Sequence, residues 1–258
     1  MVPWIHLESI SVGFLRLNIW GIFVSLSFIA GIVDSYFEFK KRKLETNRVL
    51  DLAFWMIICA IIGSRLLYVL ENLSNFLNAP LDVLKLWQGG MSIYGGFIGA
   101  VIACLVYFKK NKLDIWSYGD AVIFSLPLGL FIGRLGCFLI HDHPGVKTDF
   151  ILGVAYPDGV RHDLGLYLSL NGLVLFLFFL ILHRRSWFSG FYVAFFSIWY
   201  GAVRFLLDFL RAQDTVGADP RYFGLTLAQY LSIILFVVGI CLFYRLKTKN
   251  FPPEAVAS

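Results

Sequence analysis

The chain has 258 residues, of which 59% are hydrophobic and 15% charged, with a formal net charge of +5 and a mean hydropathy of +0.74. A soluble domain holds roughly 45–50% apolar residues even with glycine counted, and about 25% charged ones, so this many apolar side chains would leave large patches open to water. Soluble globular, disordered and free nucleic-acid-binding classes are thereby excluded, and the chain reads as an all-α polytopic membrane protein with no nucleic-acid partner.

The opening MVPWIHLES has no basic segment, and the first apolar stretch runs into Lys40–Lys43 rather than a small-residue cleavage site. No cleavable signal peptide is expected. Seven apolar stretches then approach the roughly 20 residues that cross a hydrocarbon core. They lie at about 15–37, 51–71, 91–108, 118–139, 165–183, 190–209 and 224–244. No internal repeat is visible.

Basic residues orient these spans. Lys40, Lys41, Arg42, Lys43 and Arg48 follow the first, Lys109, Lys110 and Lys112 the third, Arg184 and Arg185 the fifth, and Arg245, Lys247 and Lys249 the seventh. Such clusters mark cytoplasmic loops, so the N-terminus is expected outside and the C-terminus in the cytoplasm. Residues 1–250 form a single integral-membrane domain in this reading, and 251–258 a short cytoplasmic tail. The long loops at about 140–164 and 210–223, rich in turn residues and ionisable groups, then fall on the outer face.

Ionisable groups inside a span are costly and mark functional candidates. Arg65 lies in the second span and Arg134 in the fourth. The sixth ends in RFLLDFLR, where Arg204, Asp208 and Arg211 share one helix face by their spacing of four and then three. A guanidinium is a planar, permanently charged fork suited to phosphate oxygens. The anion available at that depth is a phospholipid head group. A structural ion pair or snorkelling to lipid phosphates is the plainer alternative.

Two further clusters bear on chemistry. GGMSIYGGFIG opens the third span with Gly95 and Gly96 among five glycines, which permit close approach of a ligand or of another helix. HDHPG places His141, Asp142 and His143 after Arg134, and RHD adds Arg161, His162 and Asp163. General acid–base work or head-group hydrogen bonding suits these imidazoles. A His-x-His pair alone has no third or fourth ligand at a recognisable spacing, so no metal is expected. Cys59, Cys104, Cys137 and Cys241 lie far apart in apolar runs and read as small buried hydrophobes. No nucleotide motif or cofactor is implied.

In order, KLWQGGMSIYGGFIGA, GRLGCFLIHDHPG, AVRFLLDFLRAQD and LTLAQYLSI, with RLLYVL in the second span and RHDLGLY before the fifth, resemble bacterial prolipoprotein diacylglyceryl transferases over about 70–245. The resemblance implies an enzyme that moves a diacylglyceryl group from phosphatidylglycerol to the lipobox cysteine thiol of a prolipoprotein, releasing glycerol phosphate. It also implies a place in the bacterial cytoplasmic (inner) membrane among membrane lipids. Arg134, Gly133, Gly136 and Gly145 fall on the family signature. Arg204 and Arg211 fall on arginines of the sixth-span motif, and Asp208 stands where the family has glutamate. By resemblance, Arg134, Arg204, Asp208, Arg211, Gly95, Gly96, Gly133, Gly145 and His162 bind substrate, and Tyr94, His141, Asp142 and His143 are candidates for the chemistry.

The chain also departs from the family pattern. Tyr94 replaces a histidine, Cys137 and Ile140 replace asparagines, Asp142 replaces a glutamate, and Trp20 replaces a tyrosine. HDLGLY keeps only His162, Leu166 and Tyr167 of its segment. The arginines persist while most proton-handling groups have changed, as in a divergent branch. A phospholipid-binding relative without transfer activity, or an anion or lipid transporter, is the alternative.

Overall fold

A computed structural model of the chain describes residues 1–12, 15–86, 89–215 and 218–250. The tail expected at 251–258, and Trp87 and Gln88 of the glycine-rich motif, lie outside these. In chain order the elements are β1 Ser9–Val12, β2 Leu15–Asn18, α1 Ile19–Lys41, α2 Arg48–Glu71, α3 Leu73–Asn78, α4 Ile93–Lys110, α5 Ile115–Ile140, β3 Pro144–Lys147, β4 Val154–Tyr156, β5 Gly159–Asp163, α6 Leu164–Leu182, α7 Phe191–Leu207, β6 Arg221–Tyr222, β7 Leu225–Thr226 and α8 Leu227–Asn250. Short 3-10 turns cover Pro80–Leu84 and Asp208–Leu210.

Among the described residues, seven helices are long and apolar enough to cross a membrane: α1, α2, α4, α5, α6, α7 and α8. Their outward faces carry Ile29, Phe54, Ile102, Ile181 and Ile234, all exposed, as expected where lipid rather than water is the solvent. The multi-pass expectation holds, with one correction at the start. Residues 15–18 are not the beginning of the first span. They pair antiparallel with Ser9–Val12, and the helix starts at Ile19. Among the described residues, three small sheets thus supplement the helices.

The chain divides into two compact units, residues 36–119 and residues 1–35 with 120–258. In the first, α2 packs on α4 through glycine. A Cβ on Gly95 would lie 2.2 Å from the Gly63 carbonyl oxygen, and one on Gly99 would lie 2.1 Å from that of Cys59. Only a bare Cα allows backbones this close. Phe39, Tyr107, Phe108 and Tyr118 fill the space beside them.

In the second unit α5, α6, α7 and α8 pack by the same device. Gly165 and Gly172 of α6 sit against the Phe138 and Phe131 backbone of α5, and Gly201 and Gly239 join α7 to α8. Asp120 holds the start of α7 by accepting from the Gly190 and Val193 amides at 2.8 and 3.0 Å. Connections collect at the end where α5 and α7 finish and α6 and α8 begin. There β5 lies between β3 and β4, Val2 bridges to Val154, and Gly145 bridges to Arg211.

Candidate functional site

Arginines in the membrane-spanning helices differ in how their donors are used. Arg65 is buried in α2 and donates to five backbone carbonyls, those of Val83, Gly89, Gly90, Asp82 and Lys85. It fastens residues 82–85 and 89–90 and has little left for a ligand. Arg134, six residues before the end of α5, is different. Among the described residues its only hydrogen-bond partner is the Cys137 sulfur, at 3.8 Å. Asp142 and Tyr200 act on it electrostatically. Most of the five donors of this guanidinium thus have no partner among the described residues, and burying such donors unpaired is costly.

Arg204 lies on α7, at the same end of the same unit. Its Nη1 is 2.7 Å from Asp208 Oδ1, and Asp208 is wholly buried. Asp208 Oδ2 accepts from the Thr226 hydroxyl. Thr226 is also the first half of a capping box on α8: its oxygen accepts from the Gln229 amide at 3.2 Å, and the Thr226 amide donates to Gln229 Oε1 at 3.0 Å. The helix cap thereby fixes the carboxylate that fixes Arg204. Arg211 is engaged too, with Nε 2.8 Å from Asp219 Oδ2.

Gly145 explains itself sterically. A Cβ there would meet the Leu210 carbonyl oxygen and His162 Cβ, each at 2.6 Å, so only glycine lets β3 pass beside the segment that carries Arg211. Gly133 has ordinary room, with Ser27 atoms 3.6 Å away, and Gly96 is similarly open. Gly95 serves the α2–α4 contact described above. Tyr94 and these two glycines belong to the 36–119 unit, and Tyr94 is half-buried there.

The two loop histidines part company. His141 is buried at a positive φ of 51° and stacks on Trp4 with centroids 4.0 Å apart. Its Nδ1 is 2.7 Å from Asp163 Oδ2, which also accepts from the Tyr156 hydroxyl at 2.7 Å. Burial first, then Asp163, pushes the Tyr156 phenol up, so it stays a donor. Asp163 Oδ1 meanwhile caps α6 by accepting from the Leu166 amide. His143 points the other way. Its Nδ1 is 2.9 Å from Asp142 Oδ1, and Asp142, His143 and Cys137 place ligand-type atoms within 4.8 Å of one another.

His162 pairs through Nδ1 with the Tyr167 hydroxyl at 2.7 Å, and burial holds its imidazole below the usual pKa. Arg161 is almost fully buried between Asp158 and Asp214 and also donates to the Gly145 carbonyl at 3.0 Å. Hydrogen bonds from Arg161 hold both carboxyls below the ordinary range.

The family model for prolipoprotein diacylglyceryl transferase matches residues 8–245, nearly the whole chain. The chain belongs to the prolipoprotein diacylglyceryl transferase family. Relatives named phosphatidylglycerol–prolipoprotein diacylglyceryl transferase include one from Ehrlichia canis, 32% identical over 238 residues, covering 86% of this chain and 89% of the relative. Another, from a Wolbachia of Brugia malayi, is 33% identical over 248 residues, covering 90% and 93%. A Listeria welshimeri relative is 29% identical over 257 residues, covering 95% and 91%.

Several contributors escape a reading of motifs. Asp163, Tyr156 and Trp4 carry no spacing that links them to His141. Thr226 and Gln229 did have a signal, since Thr-x-x-Gln before an apolar run is a capping box. Cys137 has its place only because α5 ends one turn later and turns HDHPG back beside it.

Proposed function

We propose that this protein transfers the diacylglyceryl group of phosphatidylglycerol to the cysteine thiol of a prolipoprotein lipobox peptide, in the bacterial inner membrane, with its N-terminus and the 140–164 loop outside. Family membership supports the reaction class, and the basic clusters after alternate spans support the orientation. The observation that carries the site is Arg134: a guanidinium in a membrane helix with one weak partner has its donors available for a phosphate.

In this reading Arg134 and Arg204 grip the lipid phosphate. The acceptor sulfur attacks the glycerol carbon that bears the phosphate ester. A carbon–sulfur bond forms as the carbon–oxygen bond breaks, and the electron pair leaves on a phosphate oxygen as glycerol phosphate. The two arginines offset the charge growing on that oxygen. Asp208 orients Arg204, and Gly145 and Arg211 hold the loop beside the lipid.

The thiol must lose its proton, because thiolate is the nucleophile. His143, held by Asp142 and on the Cys137 side of the loop, is the proposed acceptor of that proton. His141 positions the loop through Asp163 and Trp4. Tyr94, at the family's histidine position, is assigned no base chemistry, since an ordinary phenol has a pKa of about 10. His162 and Gly133 complete the proposed lipid-binding set.

The test is transfer by purified protein from labelled phosphatidylglycerol to a lipobox peptide. Lipid-linked peptide supports the reading. Saturable phosphatidylglycerol binding without product would favour a binding relative, and lipid or anion flux without product would favour a transporter.

A further inference from the structure

Cys137, Asp142 and His143 stand outside any ligand pattern in the sequence, yet the fold sets a thiol, a carboxylate and an imidazole within 4.8 Å of one another. These are the donor types zinc takes, with bonds of about 2.0–2.3 Å. Within the cluster, His143 and Asp142 approach most closely. His143 Nδ1 is a buried atom without a hydrogen-bond partner, although Asp142 Oδ1 is 2.9 Å away. Two lone-pair atoms that close need a proton or a cation shared between them.

The geometry points to a binding site for one thiophilic divalent cation, of the zinc class, held by Cys137, Asp142 and His143. Three protein ligands leave the fourth tetrahedral position open, as in catalytic rather than structural zinc sites. Electrostatics permit it. Thiolate and carboxylate offset the ion's two charges, and the remaining positive charge is that of Arg134, whose Nη1 lies 3.8 Å from the Cys137 sulfur. Cys59, Cys104 and Cys241 have no such company among the described residues.

The site does not rest on the transferase reading, but it meets it. A bound ion takes the His143 lone pair and the Asp142 carboxylate, the groups assigned to the thiol proton, so ion and proton compete for one place.

The experiment titrates full-length protein in detergent with Co2+ as the spectroscopic stand-in for zinc. One equivalent should bind, with tetrahedral visible bands and a sulfur-to-cobalt charge-transfer band, and Zn2+ should displace it. Cys137→Ser should abolish the charge-transfer band, while Cys104→Ser should keep it. His143→Gln, on a partly exposed side chain, should weaken Co2+ by at least about tenfold and carries the test if Cys137→Ser does not fold. No charge-transfer band at one equivalent, or unchanged affinity in a folded His143→Gln protein, overturns the proposal. Transfer activity enters none of these readouts.

Discussion

The Thr226 hydroxyl donates to Asp208 while accepting from the Gln229 amide, so one oxygen both starts α8 and restrains the carboxylate that faces Arg204. Thr226→Val keeps the shape and removes both bonds. Loss of the cap costs about 1 kcal/mol, and a buried acceptor left short of a donor adds about 1–3 kcal/mol. Thermal unfolding in detergent should show a clear drop, with Thr226→Ser restoring most of it. A Thr226→Val protein as stable as the parent would remove the cap from this account.

The phosphate grip predicts unequal rescue. Removing one partner of a buried charged hydrogen bond costs on the order of 2–5 kcal/mol, so Arg134→Ala and Arg204→Ala should lose most turnover. Arg134→Lys should recover little, because an ammonium lacks the planar fork. A well-folded Arg134→Ala protein with full activity would sink the phosphate role.

Proton handling separates the two histidines. His143→Ala should lower turnover by about 10²–10⁴-fold and flatten the near-neutral limb of the pH–rate profile. His141→Ala should mainly lower stability, since it removes the Trp4 stack and the Asp163 bond and leaves the profile's shape intact. Tyr94→Phe should lose only modest activity. The opposite ranking, with Tyr94→Phe dead and His143→Ala near normal, returns the base to the glycine-rich segment.

Gly145→Ala should be poorly tolerated. Its Cβ would meet backbone at 2.6 Å, and overpacking of this kind costs about 1–3 kcal/mol. Gly133→Ala, with neighbours at 3.6 Å, should be nearly silent in the same melting experiment.

Acid should loosen the 140–164 loop. Asp158 and Asp214 are held below the usual carboxylate range by hydrogen bonds from Arg161. Their contribution is therefore complete above about pH 4 and disappears as the pH falls through the lowered values. Protease susceptibility of this loop should rise below that range in the parent. In Asp214→Asn the rise should begin at higher pH, and identical pH curves for both would contradict the clamp.

Spans were legible because length and hydropathy are properties of a single segment: the sixth was expected at about 190–209, and α7 runs Phe191–Leu207. The start of the first span was not. Leu15 and Leu17 extend the apolar run back from Ile19, but Leu15–Asn18 gains its hydrogen bonds from Ser9–Val12, a partner that hydropathy does not weigh. Arg65 and Arg134 looked alike as charges in apolar runs. What distinguishes them is the backbone of residues 82–85 and 89–90, whose carbonyls take up the Arg65 donors, a tertiary fact. Glycine spacing likewise marked close approach at Gly95 without saying that the neighbour is Gly63.

The central claim is carbon–sulfur bond formation coupled to phosphate release, and mass spectrometry of one reaction mixture tests it most directly. Purified protein, phosphatidylglycerol labelled in the diacylglyceryl part and a lipobox peptide should give a thioether-linked diacylglyceryl peptide and glycerol phosphate in equal amounts. Arg134→Ala should abolish both together. Glycerol phosphate without modified peptide, or modified peptide formed equally by Arg134→Ala, would contradict the account.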